Sequence, residues 1–179
     1  MKKIIIAALV GGIILFIWQF ISWTISGLHN NMQKYSPKQD EILKYLGDNL
    51  EEGFYYMPTV PEGTSMEEGA KLMESSMGKP WAQVYYHKSM DANMNVNMAR
   101  GLVVDILAVL LLSWMLLKMG NASMQTIILT TLAVGFIGYL TDVYTKSIWF
   151  ETKTLADLID VIVGWGVVGV WLGWWLRRK

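Results

Sequence analysis

Four apolar blocks divide this chain, and its longest polar stretch lies between the first two. The blocks run from Ile4 to Ile25, from about Arg100 to Lys118, from about Gln125 to Leu140 and from Leu155 to Leu176. At ~1.5 Å of rise per residue, about twenty helical residues cross a hydrocarbon core ~30 Å thick, so each block is read as a membrane span. The expected spans are residues 4–26, 93–118, 124–142 and 155–176, with residues 27–92 forming an external insert. The expected fold class is an all-α membrane protein, a four-transmembrane-helix bundle with a small α+β extracytoplasmic insert.

The first block follows Lys2 and Lys3 and shares that basic start with a secretory signal peptide. Its apolar run is longer than the ~7–15 residues of a signal-peptide core, contains Trp18 and Trp23, and is not followed by a small-x-small cleavage site. It is therefore expected to persist as a first helix. On that helix Gly12, Gln19, Ser22 and Ser26 recur at steps of seven, three and four, a polar stripe that should face protein rather than lipid.

Within the insert, two helix starts stand out. Ser36-Pro37-Lys38-Gln39 combines a capping serine, a proline at the first helical position and a glutamine three residues after the cap. Ser65-Met66-Glu67-Glu68 repeats the capping pattern, and Gly78 and Pro80 end the second helix. Each helix is followed by an aromatic run, Phe54-Tyr55-Tyr56-Met57 and then Trp81 to Tyr86, which predicts the order helix, strand, helix, strand. So small a core is expected to lean on the membrane surface or on a partner.

Met90, Met94 and Met98 stand four apart just before the second span. A packing stripe that extends the span is the expected reading; a thioether site for Cu(I) is the alternative, disfavoured because no histidine or cysteine accompanies it. The short linker 118–123 predicts an antiparallel hairpin of the second and third spans, and Asp142 to Lys153 read as an interfacial loop.

Charge and composition narrow the chemistry. Fifteen basic and fifteen acidic residues balance to zero, so no overall field recruits nucleic acid. The absence of cysteine excludes thiolate catalysis and cysteine-ligated metals, and two histidines exclude a histidine-rich metal site. No nucleophile, nucleotide-binding or metal-binding motif of adequate specificity occurs; no cofactor, no metal and no catalysis are expected. The basic residues nearest the span ends are Lys2, Lys3, Lys118, Arg177, Arg178 and Lys179, all on one side of a four-span path, which predicts cytoplasmic termini and an outward-facing insert.

With that topology the intramembrane polar residues gather toward the outer ends of the spans. Gln19, Ser22, Asp105, Asp142 and Asp160 form the candidate binding cluster, with Asp157 beside it. Asp157 and Asp160 share a face with Gly164, while Gly166, Gly169 and Gly173 form a small-residue seam on another face of the last helix. Arg100 lies five helical residues from Asp105, about 140° around the axis, and should not reach it. Gln19, Ser22, Tyr139 or Tyr144 could donate to Asp105, or Asp160 could share a proton with it. The cluster is read either as interhelical packing or as an outward-open pocket for a cation, a proton or a small polar ligand. His29 and His87, far apart and without metal-ligand spacing, are expected to be surface or interfacial.

The segments Trp23 to His29, Gly53-Phe54-Tyr55-Tyr56-Met57-Pro58 and Val84-Tyr85-Tyr86-His87, with Asp160, Gly164-Trp165 and Gly169, resemble a group of small bacterial four-span membrane proteins with an extracytoplasmic insert between helices 1 and 2. The resemblance implies an architecture and a bacterial inner-membrane location and carries no chemistry.

The expected function is that of an accessory or scaffold protein, lodged in the lipid bilayer and binding a membrane-protein partner or a second copy of itself. Tyr55, Tyr56, Trp81 and Tyr85 of the insert and Gly169 and Gly173 of the last helix are the expected contact residues. The alternative is a small transporter or ion- or proton-binding protein built on Asp105 and Asp160. A membrane-embedded enzyme ranks third.

Overall fold

The computed structural model describes residues 2–178. In chain order the elements are α1 (Lys2–Thr24), α2 (Gln39–Asn49), β1 (Gly53–Met57), α3 (Met66–Ser76), β2 (Ala82–Tyr86), α4 (Met94–Lys118), α5 (Met124–Gly138), a π-helical turn (Tyr139–Tyr144), α6 (Thr145–Phe150) and α7 (Leu155–Leu176). They divide into two compact units: Met1–Lys34 with Asn93–Lys179, and Tyr35–Ala92. Four helical runs are long and apolar enough to cross a membrane: Lys2–Thr24, Met94–Lys118, Met124–Phe150 and Leu155–Leu176.

In the helical unit α1 packs between α4 and α7, and α7 packs between α1 and α5. The spatial order is therefore α4, α1, α7, α5. Although α4 and α5 are consecutive and joined by a short linker, they make few contacts with each other, so the expected hairpin is a connection more than a packing unit. Glycines set the close crossings. A Cβ on Gly12 would lie 2.7 Å from the Ile106 backbone, one on Gly164 3.0 Å from Leu15 and Trp18, and one on Gly169 3.2 Å from the Ile128 backbone. Between helices in lipid such contacts stabilise through dispersion rather than through release of water. Ala7, Leu15, Val109, Leu112, Leu116, Ile127, Val168 and Leu172 form the buried centre. At the end where α1 begins, the Trp175 and Trp171 indoles donate to the carbonyls of Lys3 and Ala7 at 2.9 and 3.2 Å, tying α7 to α1.

The third span departs from expectation. It does not stop near residue 142 but continues as helix to Phe150, through the stretch expected to be a loop. Nothing between Tyr139 and Phe150 breaks a helix, and Asp142 and Lys146 pair across one turn at 2.6 Å. The hydroxyls of Thr141 and Thr145 donate to the carbonyls of Ile137 and Leu140, and the Thr145 bond, five residues back, follows the wider π-helical turn. The methionine stripe also differs from its packing reading. Met90 precedes α4, and residues 94–100 of α4 are all exposed, Met94 and Met98 included.

In the unit Tyr35–Ala92, β1 and β2 pair antiparallel with Phe54 opposite Tyr85 and Tyr56 opposite Gln83. One face of this two-stranded sheet is aromatic: the rings of Phe54 and Tyr85 stack at 4.5 Å, and those of Tyr56 and Trp81 lie 5.8 Å apart. The capping box at α3 forms as expected, with Ser65 accepting from the Glu68 amide and Glu68 reaching back to the Ser65 amide. At α2 the expected box does not form. Pro37 and Lys38 instead make a turn, Ser36 accepts from the Lys38 amide, and the helix begins at Gln39. The order helix, strand, helix, strand holds, yet no residue of this unit is buried.

Candidate functional site

The site is built at the end of the helical unit where α1 finishes and α7 begins. The amides of Ile25 and Ser26 both donate to the Ile21 carbonyl, which closes α1, and Gly27 takes a left-handed φ of 69° that reverses the chain. A residue with a Cβ would be strained there. The reversal folds His29 back onto the last turns of α1, where its ring stacks on Trp23 with centroids 3.9 Å apart.

His29 is only 5% exposed. Its Nε2 lies 2.9 Å from Oδ2 of Asp160 on α7 and 3.2 Å from the Ser22 hydroxyl, and its Nδ1 lies 3.1 Å from the Met32 sulfur. The Ser22 hydroxyl, fully buried, donates to the other Asp160 oxygen at 2.5 Å. Asp160 thus accepts one bond on each oxygen. Both nitrogens of His29 face atoms able to accept a hydrogen bond, the carboxylate and the thioether. Of the expected surface or interfacial placement, burial overturns the surface one for His29. His87, by contrast, is exposed at 3.6 Å from Glu52, as expected.

The remaining cluster residues part company. Gln19 Nε2 donates to Asp105 Oδ1 at 3.0 Å, joining α1 to α4. Asp105 is 5% exposed, and its Oδ2 has no hydrogen-bond partner among the described residues. Of the donors considered for it, Gln19 serves; Ser22 turns to Asp160, and Tyr139 donates to Thr154 at 3.1 Å. Asp105 and Asp160 share no hydrogen bond, and Arg100 forms no ion pair with Asp105. Asp142 is exposed, paired with Lys146 and outside the cluster. The candidate cluster is therefore divided between two separate seams: Gln19 with Asp105, and Ser22 and His29 with Asp160.

Next to His29 opens a recess of about 560 Å³ lined by Asn31, Met32, Lys34, Glu151, Thr152, Lys153 and Asp157. Met32 belongs to both, since its sulfur touches the histidine. Glu151 ends α6 in the left-handed region, with φ 52°.

Of the expected partner-contact residues, Tyr55 donates to the Glu51 carbonyl at 3.0 Å, while Tyr56, Trp81 and Tyr85 belong to the aromatic sheet face. Gly169 and Gly173 require correction. Both are buried, with α5 over them: Ile128 and Thr131 cover Gly169, and Met124 covers Gly173. The seam permits a close approach, and a helix of the same chain makes it.

His29 is the site residue that sequence reasoning missed. A signal was present in Ser26-Gly27, a helix-ending pair just before it, and in the seven-residue spacing from Ser22. What no pattern conveys is that the chain turns back there.

No protein-family model, curated protein or solved structure matches the chain. Fold and site together define a class: a largely helical protein with four helices long and apolar enough to cross a membrane, joined by glycine crossings and by two carboxylates that accept hydrogen bonds between helices.

Proposed function

We propose that the chain is an integral inner-membrane accessory or scaffold protein of bacteria, with both termini cytoplasmic and its insert offered to a protein partner in the envelope. One observation carries this reading: no residue of the unit Tyr35–Ala92 is buried, although Phe54, Trp81 and Tyr85 at the strands and Ile42, Leu43 and Met73 on the helices are large, apolar and exposed. A unit without buried side chains recovers little of the entropy its ordering costs, and a partner surface supplies what is missing. Tyr and Trp at the centre with Gln83 among them match a protein interface rather than a lipid-facing surface. The seam of Gly169 and Gly173, covered by α5, is not part of the surface proposed for this partner.

The test is photocrosslinking in intact cells from a probe placed at Tyr85, compared with a probe at Met66. A discrete heterologous protein adduct from Tyr85 that is lost on Phe54→Ser supports the reading. Adducts with lipid alone, or with a second copy of the chain alone, overturn it.

A second reading, a proton-binding membrane protein, is favoured by the two acceptors that flank His29. In protein labelled with ¹⁵N-histidine and carrying His87→Gln, an imidazolium signal from His29 at neutral pH supports it, and a single neutral tautomer overturns it.

A further inference from the structure

The recess beside His29 carries two cations and two anions in one small space. Lys34 and Lys153 line it together with Glu151 and Asp157, and among the described residues none of the four belongs to an ion pair. Asn31 and Thr152 add an amide and a hydroxyl. Four charged residues that line one recess without pairing with one another, Asp157 interacting with the neighbouring His29, are an arrangement a ligand of both signs completes. At about 560 Å³ the recess is within the ~300–1,000 Å³ range of small-molecule sites and far above the ~30 Å³ a water occupies.

Its neighbours sharpen the chemistry. Thr154, the residue before α7, caps no amide of that helix with its side chain; its hydroxyl accepts from Tyr139 instead. The N-cap of a 22-residue helix thus supplies no side-chain acceptor, and the amides ahead of Asp157, whose carboxylate accepts from its own amide, favour a phosphate. For the cationic part of a ligand, the two carboxylates offer acceptors to the three N–H groups of a primary ammonium. No aromatic ring lines the recess, so it lacks the cage a quaternary ammonium requires. A purely anionic ligand would answer the lysines and leave Glu151 and Asp157 opposed.

The recess lies directly before Leu155, where the apolar run of α7 starts, and a few residues after Thr24, where that of α1 ends. If these helices span a bilayer, this is the level of the headgroups. We propose that the recess binds a phosphate–primary-ammonium zwitterion, the phosphoethanolamine headgroup of a lipid, with Lys34 and Lys153 on the phosphate and Glu151 and Asp157 on the ammonium. This rests on the membrane reading of the four helices and is independent of the partner proposed for the insert.

The test is native mass spectrometry of the full chain released from non-ionic micelles containing equal amounts of dioctanoyl phosphatidylethanolamine, phosphatidylglycerol and phosphatidylcholine. One retained phosphatidylethanolamine, at least tenfold over the other two, is expected. Lys153→Glu and Glu151→Lys should each reduce that preference about tenfold. Lys71→Glu, at an exposed position in α3, should leave it unchanged. Competition by water-soluble glycerophosphoethanolamine would show that the headgroup alone suffices, and its absence that the acyl chains are needed; both outcomes support the site. Equal retention of the three lipids, or retention indifferent to Lys153 and Glu151 in variants with unchanged circular dichroism, overturns it. Resistance of the expressed protein to alkaline carbonate extraction is scored separately, so a failed membrane reading is distinguishable from a failed headgroup site.

Discussion

Asp160 is the group whose removal the structure translates most directly into a measurable cost. Its two oxygens accept from the Ser22 hydroxyl at 2.5 Å and from His29 Nε2 at 2.9 Å, and both partners are buried. Hydrogen bonds to a charged group contribute about 1.5–3 kcal/mol each, and breaking a buried pair costs about 3–5 kcal/mol. Two features lower the figure here. The Asp160 side chain is 19% exposed, and Ser22 and His29 lie 3.2 Å apart, close enough to bond each other once the carboxylate is gone. Asp160→Ala should therefore destabilise the helical unit by about 2–4 kcal/mol, and Asp160→Asn, which keeps the shape and one acceptor, by about half of that. His29→Phe preserves the stack on Trp23 while removing both nitrogens, so a double-mutant cycle with Asp160→Asn isolates the contact, with an expected coupling of about 1–2 kcal/mol. Reversible unfolding in mixed micelles, titrated with SDS and followed by circular dichroism, supplies the free energies. Asp160→Ala within about 0.5 kcal/mol of the parent, or a cycle additive within that margin, would refute the reasoning.

Other consequences are as direct. In the same assay Gly12→Ala should destabilise by about 1–3 kcal/mol, because its Cβ would meet the Ile106 backbone at 2.7 Å, whereas Gly166→Ala, with its nearest contact at 3.7 Å, should be neutral or stabilising by up to about 1 kcal/mol. Gly135→Ala should also be costly, since a rigid Trp165 ring stands 2.3 Å from the new carbon; equal melting temperatures for Gly135→Ala and Gly166→Ala would contradict this crossing. The isolated segment 35–92, lacking any buried residue, should show no cooperative thermal transition and little amide protection; a sharp calorimetric transition would mean that it has a core of its own. Lys88 and Glu51 hydrogen-bond as an ion pair, so Lys88 holds the Glu51 carboxyl below its ordinary range and is itself held above the usual lysine range. The Glu51 contribution is then present above the ordinary carboxylate range and lost as pH falls through its lowered value; that of Lys88 is lost only as pH rises through its raised value. NMR titration of the Glu51 carboxyl should move upward on Lys88→Met, and an unmoved midpoint would dissolve the pair.

Much of the fold is legible as pattern. The run Leu155 to Leu176 is apolar without interruption beyond its aspartates, and its helix has those bounds. The two aromatic runs pair as strands, and Ser65 with Glu68 caps α3 because every partner in that motif is local. What escapes is whatever depends on a residue distant in sequence. The glycines of α7 announce close approaches but not by whom: α5 of the same chain covers Gly169 and Gly173, and α1 covers Gly164. Residues 139–150 are polar enough to read as a loop, yet hydroxyls bonded to preceding carbonyls and one pair across a turn keep them helical. At Ser36 the local motif is complete and fails, because Pro37 and Lys38 satisfy the serine in a turn first.

The candidate site is subject to the same limit, and α1 shows why. Gln19 and Ser22, three residues apart, form one polar stripe in projection, and a stripe facing protein suggests a single partner. α1 lies between two helices, and the stripe straddles the line where they diverge: Gln19 turns to Asp105 on α4, Ser22 to Asp160 on α7. The carboxylates are consequently held in different seams, with no hydrogen bond from one set to the other. Only the Asp160 set includes a residue of the segment that leaves α1 for the insert, since His29 stands six positions before Tyr35, where that unit begins. Asp105 engages one helix neighbour, Gln19 of α1. A change at Asp160 alters what holds the outgoing chain at His29. If the state of the helical unit is ever communicated along the chain to the insert, the covalent route begins at His29 and Asp160, and Asp105 has no place on it.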